Sequence, residues 1–180
     1  MFYMFFADGF EEVEAIASID VIRRAGIEIE SVGIGSKQIT GSHNITVVCD
    51  KTDNEVFVSD KLDGIILPGG MPGTNNLEKN TTVNDFIDYC VQHELFICAI
   101  CAAPKILGSK KLLKGKKATC FPGFESFLEG ANLVDEYVCT DGKIITAKGM
   151  GSAVNFGLAV VSVVKGKNES EQLRETLQCS

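Results

Sequence analysis

The chain reads as an α/β protein, with a mostly parallel central sheet covered by helices on both faces. Two observations predict this. Its strand candidates are short, continuously apolar runs, among them Phe2-Tyr3-Met4-Phe5-Phe6, Ile65-Ile66-Leu67 and Phe96-Ile97-Cys98-Ala99-Ile100, as strands buried on both faces require. Turns and stretches of helical spacing separate these runs, so strands alternate with helices.

Residues 1–6 read as the first strand and Ala7-Asp8-Gly9-Phe10 as a turn. Residues 11–25 follow as a helix, with Ala15, Ile16, Ile19 and Ile22 on one side and acidic residues in the first turn, where the helix dipole favours them. Gly26 ends it, and residues 27–34 alternate as a partly buried second strand. Two short strands are expected over 45–49 and 56–59. Residues 63–67 form a third buried strand, stopped by Pro68-Gly69-Gly70-Met71-Pro72-Gly73. A helix over 82–92 then starts with Thr82 three residues before Asp85, an approximate capping box. The Phe96 run leads into Cys101 and a helical pattern of Ala102, Ala103, Ile106, Leu107, Leu112 and Leu113. A short strand over 117–120 and a small helix over 124–128 come next. Asp141-Gly142, between strands over 137–140 and 143–147, is the strongest hairpin signal. A buried helix over 153–164 and a polar one over 168–177 complete a single domain spanning 1–180.

Composition narrows the function. No apolar run reaches the roughly 18 residues of a membrane span, and the opening run meets Asp8 and Glu11 at once, as a strand does and a signal peptide does not. Seven cysteines, an odd number scattered along the chain, read as reduced thiols in a cytoplasm. Seventeen basic against 24 acidic residues give a net charge of -7, with one short basic region over 110–117, so nucleic acid is not an expected partner.

Cys101 is the residue to explain. It lies where an apolar strand becomes a helix, with small neighbours that allow a tight turn, the arrangement that presents a nucleophile at a sheet edge. Helix amides aimed at the sulfur would lower its pKa from about 8.5 to roughly 3.5–7.5. In a parallel sheet, ligands bind beyond the carboxyl ends of the strands. The turns after the first, third and Cys101 strands all leave such ends. Gly69 and Gly70 either make a tight turn or bring amides to an oxyanion, with the amide of Ala102 just past the thiol. Glu11, Glu12 and Glu14 are either solvated first-turn acids or include one that faces the crevice, where desolvation raises its pKa.

At this point four segments, taken together, resemble a known family. They are Asp8-Gly9-Phe10-Glu11-Glu12-Val13-Glu14, Asp20-Val21-Ile22-Arg23-Arg24-Ala25-Gly26, Leu67-Pro68-Gly69-Gly70 and Ala99-Ile100-Cys101-Ala102-Ala103-Pro104. They are similar to the ThiJ/PfpI superfamily and, within it, to the parkinsonism-associated deglycase branch, with Lys148-Gly149-Met150-Gly151-Ser152 continuing the likeness. The resemblance implies a flavodoxin-like three-layer sandwich, a homodimer with the elbow cysteine near its interface, Cys101 as the oxidation-sensitive nucleophile and Glu14 as the protonated glutamate. Oxyanion amides correspond to Gly70 and Ala102, and Gly69, Cys120, Phe121 and Gly149 are candidate pocket residues. The implied activity is cofactor-independent conversion of small 2-oxoaldehydes such as methylglyoxal to 2-hydroxy acids, or repair of glycated thiols and amines, beside redox sensing and chaperone roles.

Two departures bear on mechanism. Many relatives carry a histidine where this chain has Phe121, and the peptidase branch has one where it has Ala102. With only His43 and His93 present, a Cys-His triad lacks a base, and the absence of a late histidine argues against a glutamine amidotransferase. The expected machinery is a Cys101–Glu14 pair without metal or organic cofactor, and the alternative is a non-enzymatic sensor in which Cys101 becomes a sulfinate. Cys98-Ala99-Ile100-Cys101 has dithiol spacing, yet Cys98 falls inside the strand, so Cys120 is the better resolving partner. A single Cys-x-x-Cys supplies too few ligands for zinc.

Overall fold

The computed structural model describes residues 1–179. In chain order the elements are β1 (Phe2–Phe6), α1 (Glu12–Arg24), β2 (Ile29–Gly33), β3 (Gln38–Thr40), β4 (Thr46–Val48), β5 (Lys51–Thr52), β6 (Gly64–Leu67), α2 (Gly73–Lys79), α3 (Thr81–Gln92), β7 (Phe96–Ile100), α4 (Pro104–Ser109), β8 (Lys117–Ala118), β9 (Asn132–Leu133), β10 (Val138–Asp141), β11 (Ile144–Ala147), α5 (Ala153–Lys165) and α6 (Lys167–Thr176). Seven strands form the main sheet in the order β10-β11-β7-β6-β1-β2-β5, parallel throughout except for the β10–β11 pair.

Successive side chains of the central strands enter opposite cores. Met4, Ile66 and Cys98 pack with Ile19 and Ile22 of α1 and Phe156 and Val160 of α5. Phe5, Ile65 and Ile97 pack with Phe86 and Ile87 of α3 and Ile106 and Leu107 of α4. The strands are therefore apolar without alternation, because each face has its own helical layer. The result is a three-layer α/β sandwich. The two helices on the first face meet closely: a Cβ on Gly157 would stand 2.9 Å from Val21 Cβ, and the Ser18 hydroxyl donates to the Ala153 carbonyl at 3.2 Å. Among the described residues no helix is long and apolar enough to cross a membrane.

Several elements differ from expectation. Residues 56–59 are not a strand; the outer sheet edge is Lys51–Thr52, while Val56 turns into the second core and Phe57 is left exposed. The 45–49 strand is shorter and pairs antiparallel with β3, which alternation did not reveal. Helix α2 was not foreseen, since only Leu77 and small residues bury its face. Helix α3 is capped by Asn80, not by a box at Thr82: the Asn80 side chain accepts the Val83 N–H. Ile16, assigned to the core stripe of α1, is exposed. The 117–120 segment keeps only β8, paired with β9 outside the main sheet. In the β10–β11 hairpin Asp141 pairs with Ile144, so the two loop residues are Gly142 and Lys143, with Gly142 at φ 61°.

Candidate active site

Three loops meet beyond the carboxyl ends of β1, β6 and β7. Cys101 follows β7 directly and has φ 65°, a left-handed conformation that a non-glycine residue adopts only when its surroundings enforce it. The enforcement is visible. The Cys101 N–H donates to the Ala147 carbonyl at 2.8 Å, and its carbonyl accepts the Phe121 N–H at 2.9 Å. The turn holds the thiol half-buried above the sheet edge.

Glu14 reaches the same place from α1. Phe10, fully buried and edge-on to Phe6 with 5.0 Å between ring centroids, anchors the loop after β1. Glu11 then caps the helix, its carboxylate accepting the Glu14 N–H at 2.7 Å. Glu14 shares the buried face of α1 with Ala15, Ser18 and Ile22 and is 1% exposed. Gly69 ties the two loops reciprocally: its N–H donates to Glu14 Oε2 and its carbonyl accepts the Glu11 N–H, both at 2.9 Å. A Cβ on Gly69 would stand 2.5 Å from both Cys101 Cβ and Glu14 Oε2, so only glycine lets the carboxyl and the cysteine close on one another. Gly70, at φ 90°, is equally constrained: its Cβ would lie 2.3 Å from the Glu11 nitrogen.

The electrostatics follow from this enclosure. Burial raises the Glu14 carboxyl to about 7 and the Glu11 charge adds to the rise, while hydrogen bonds with Cys101 and from the Gly69 and Met150 amides oppose it. Burial also pushes the Cys101 thiol up. The adjacent Glu14 carboxylate adds to this, and the amides of Ala102 and Gly70 pull the other way. This corrects the expectation of a thiol acidified by helix amides. Helix α4 starts only at Pro104 and has six residues, so the sulfur meets two loop amides instead. The arrangement is a buried carboxyl adjacent to a thiol, with two amides acting on the sulfur.

A profile of the DJ-1/PfpI family matches residues 2–163. The chain belongs to the DJ-1/PfpI family. It is 33% identical over 174 residues to Protein dj-1beta of Drosophila melanogaster, covering 95% of this chain and 92% of that one. Protein DJ-1 homolog B of Arabidopsis thaliana is 34% identical over 169 residues, 93% of this chain but 38% of the longer plant protein. The crystal structure of Drosophila melanogaster DJ-1beta superposes with a TM-score of 0.93 at 31% identity, covering 99% and 97% of the two chains. Oxidized Toxoplasma gondii DJ-1 gives 0.91 at 29% identity, covering 99% and 98%. The sandwich is thus the flavodoxin-like fold of the DJ-1 structures.

Within this family frame, the positions singled out in the sequence separate into two groups. Cys101, Glu14, Gly69, Gly70 and Ala102 come together as described. Gly149 and Phe121 join them: a Cβ on Gly149 would stand 3.1 Å from the Phe121 ring and 3.7 Å from Glu14 Oε1. Cys120 turns elsewhere, into a cavity of about 280 Å³ shared with Thr119, Glu125 and Lys148 but not with Cys101. Burial pushes its thiol up to about 11, with the Glu125 charge adding to the rise. Cys98 is fully buried in the first core, its thiol pushed up by burial. Glu12 holds the β3–β4 hairpin instead of facing the site, accepting the His43 N–H at 2.6 Å and lying 3.0 Å from His43 Nδ1. Among the described residues, Glu11, Glu12 and His43 bring possible ligand atoms within 4.8 Å of one another, yet both carboxylates already accept backbone N–H groups. His93 is exposed and stacks on Tyr89, and neither histidine is among the groups that shift Cys101 or Glu14. The backbone braces from Ala147 and Phe121 and the Met150 amide had no signal in side-chain pattern.

Proposed function

We propose that this protein converts small 2-oxoaldehydes to 2-hydroxy acids, or releases them from glycated thiols and amines, through Cys101 and Glu14 without metal or organic cofactor. The observation that supports this is the buried carboxyl, raised to about 7, adjacent to a thiol on which two amides also act. Oxoaldehyde isomerisation needs those groups. The pair holds one proton once Glu14 can ionise; in the reactive form the proton sits on Glu14 and the sulfur is anionic. Sulfur bonds to the aldehyde carbon, giving a hemithioacetal whose developing oxyanion is met by the Gly70 and Ala102 amides. Glu14 gives its proton to that oxyanion and, now a carboxylate, takes the proton from the former aldehyde carbon. It delivers this proton to the neighbouring carbon while the hydroxyl proton passes to the ketone oxygen, oxidising the first carbon and reducing the second within one molecule. Water cleaves the resulting thioester, returning the thiol and releasing the 2-hydroxy acid. The reaction is redox-neutral overall and consumes one water.

The test is lactate formation from methylglyoxal by the wild type and by Cys101→Ser. A loss of roughly 10²-fold or more in the variant is expected. Equal rates would remove the enzymatic reading and leave the sensor, for which the same protonated carboxyl would donate to an oxidised sulfur.

The functional unit we propose is a homodimer. Supporting this, Val13 and Ile16 on α1 and Ile45 and Val48 on and beside β4 are all exposed, and Ile16 and Val48 border one shallow groove.

A further inference from the structure

Each of the three segments that brace the Cys101–Glu14 pair also presents a large apolar side chain to solvent. Met71, next to the Gly70 amide, is 44% exposed; Phe121, whose N–H holds the Cys101 carbonyl, is 46% exposed; Met150, whose amide meets Glu14, is 55% exposed. The Phe121 ring lies against Gly149 beside Glu14 Oε1, so its position at the mouth of the pair is set by contact. It is further steadied edge-on by Phe124, with 6.5 Å between centroids. Solvent-exposed methionine and phenylalanine carry a hydration cost that an apolar ligand relieves.

The charges of the site point the same way. The Glu11 charge acts on Glu14. Lys148, beside Gly149 in sequence, is ion-paired with Asp135. A substrate bearing phosphate or carboxylate would therefore meet the negative charge of Glu11.

We propose, resting on the enzymatic reading above, that the site selects uncharged 2-oxoaldehydes with an aryl or other bulky apolar substituent, and that Phe121 is the specificity-determining residue. The substituent lies against the Phe121 ring while the aldehyde carbon meets the sulfur. The bond changes are those already given, so phenylglyoxal plus water yields mandelate.

The experiment compares kcat/KM for phenylglyoxal and methylglyoxal in the wild type, Phe121→Ala and Phe121→Leu. The wild type is expected to favour phenylglyoxal by about tenfold or more, as an apolar pocket gains from added apolar groups. Phe121→Ala is expected to lower that ratio at least about fivefold, and Phe121→Leu, which keeps apolar bulk, to lower it less. A wild-type ratio near one, or a ratio unmoved by Phe121→Ala, overturns the inference. If the wild type consumes neither aldehyde faster than Cys101→Ser, the enzymatic reading itself has failed. The apolar preference is then judged by NMR titration of the wild type with acetophenone: binding that Phe121→Ala weakens keeps Phe121 as the recognition element, and no binding removes it.

Discussion

Glu14 joins stability and chemistry in one proton. Its carboxyl ionises near 4.5 in an unfolded chain and near 7 in the fold, because the charge has been taken out of water. Folding therefore favours the protonated form. That contribution is complete below about pH 4.5 and is lost as the pH rises through about 7, a change of about 3 kcal/mol. Glutamine cannot ionise, so Glu14→Gln is expected to lose about 3 kcal/mol less than the wild type between about pH 4 and about pH 8 in urea unfolding. Equal slopes for the two proteins would refute a buried, raised carboxyl. The same ionisation leaves one proton on the thiol–carboxyl pair, the count the proposed mechanism starts from. Wild-type kcat/KM should accordingly climb with pH through about 7 and then level, while Glu14→Gln lacks the climb and turns over roughly 10²-fold more slowly.

At the scale of elements, the start of α3 shows how local rules compete. Asn80 and Thr82 both have cap chemistry, but only Asn80 has the extended backbone of a cap, φ -76° and ψ 128°. Its Oδ1 accepts the Val83 N–H at 2.9 Å, and its Nδ2 donates to Asp53 at 3.0 Å, tying the helix to the segment after β5. Asn80→Ala is expected to cost about 1 kcal/mol or more, and Thr82→Ala to stay within about 0.5 kcal/mol. Chemical denaturation of both variants checks the assignment, and the reverse order would restore the Thr82 cap. Helix α1 holds a similar lesson. A stripe of Ala15, Ile16, Ile19 and Ile22 suits one helical face, yet the buried face is rotated toward Glu14 and Ser18, leaving Ile16 outside.

For the whole molecule, that rotation leaves Val13 and Ile16 exposed, and Ile16 borders one groove with Val48 of β4, which is 71% exposed. If this face joins two copies, sedimentation equilibrium should give twice the 19.4 kDa chain mass, and the double substitution Ile16→Glu with Val48→Glu should shift the protein toward monomer. A wild type sedimenting as monomer at about 50 µM would remove the dimer from the proposal. The double variant should keep its far-UV circular dichroism, since both side chains are already in contact with water.

Residue pattern sufficed for the alternation of strands and helices, the two-sided burial of the central strands and the place of Cys101 at a strand end, since an unbroken apolar run can be satisfied only inside a covered sheet. Together with its family resemblance, it also pointed to Glu14, Gly69, Gly70 and Ala102. Only the packed chain shows how Glu14 is buried against Gly69, that Cys120 faces a different cavity, and that burial raises the thiol. Gly69 and Glu14 are 55 residues apart and meet because β6 lies beside β1. Periodicity records which residues are buried; strand order and the depth of desolvation, which belong to the packed chain, set what a buried acid and a thiol do to each other.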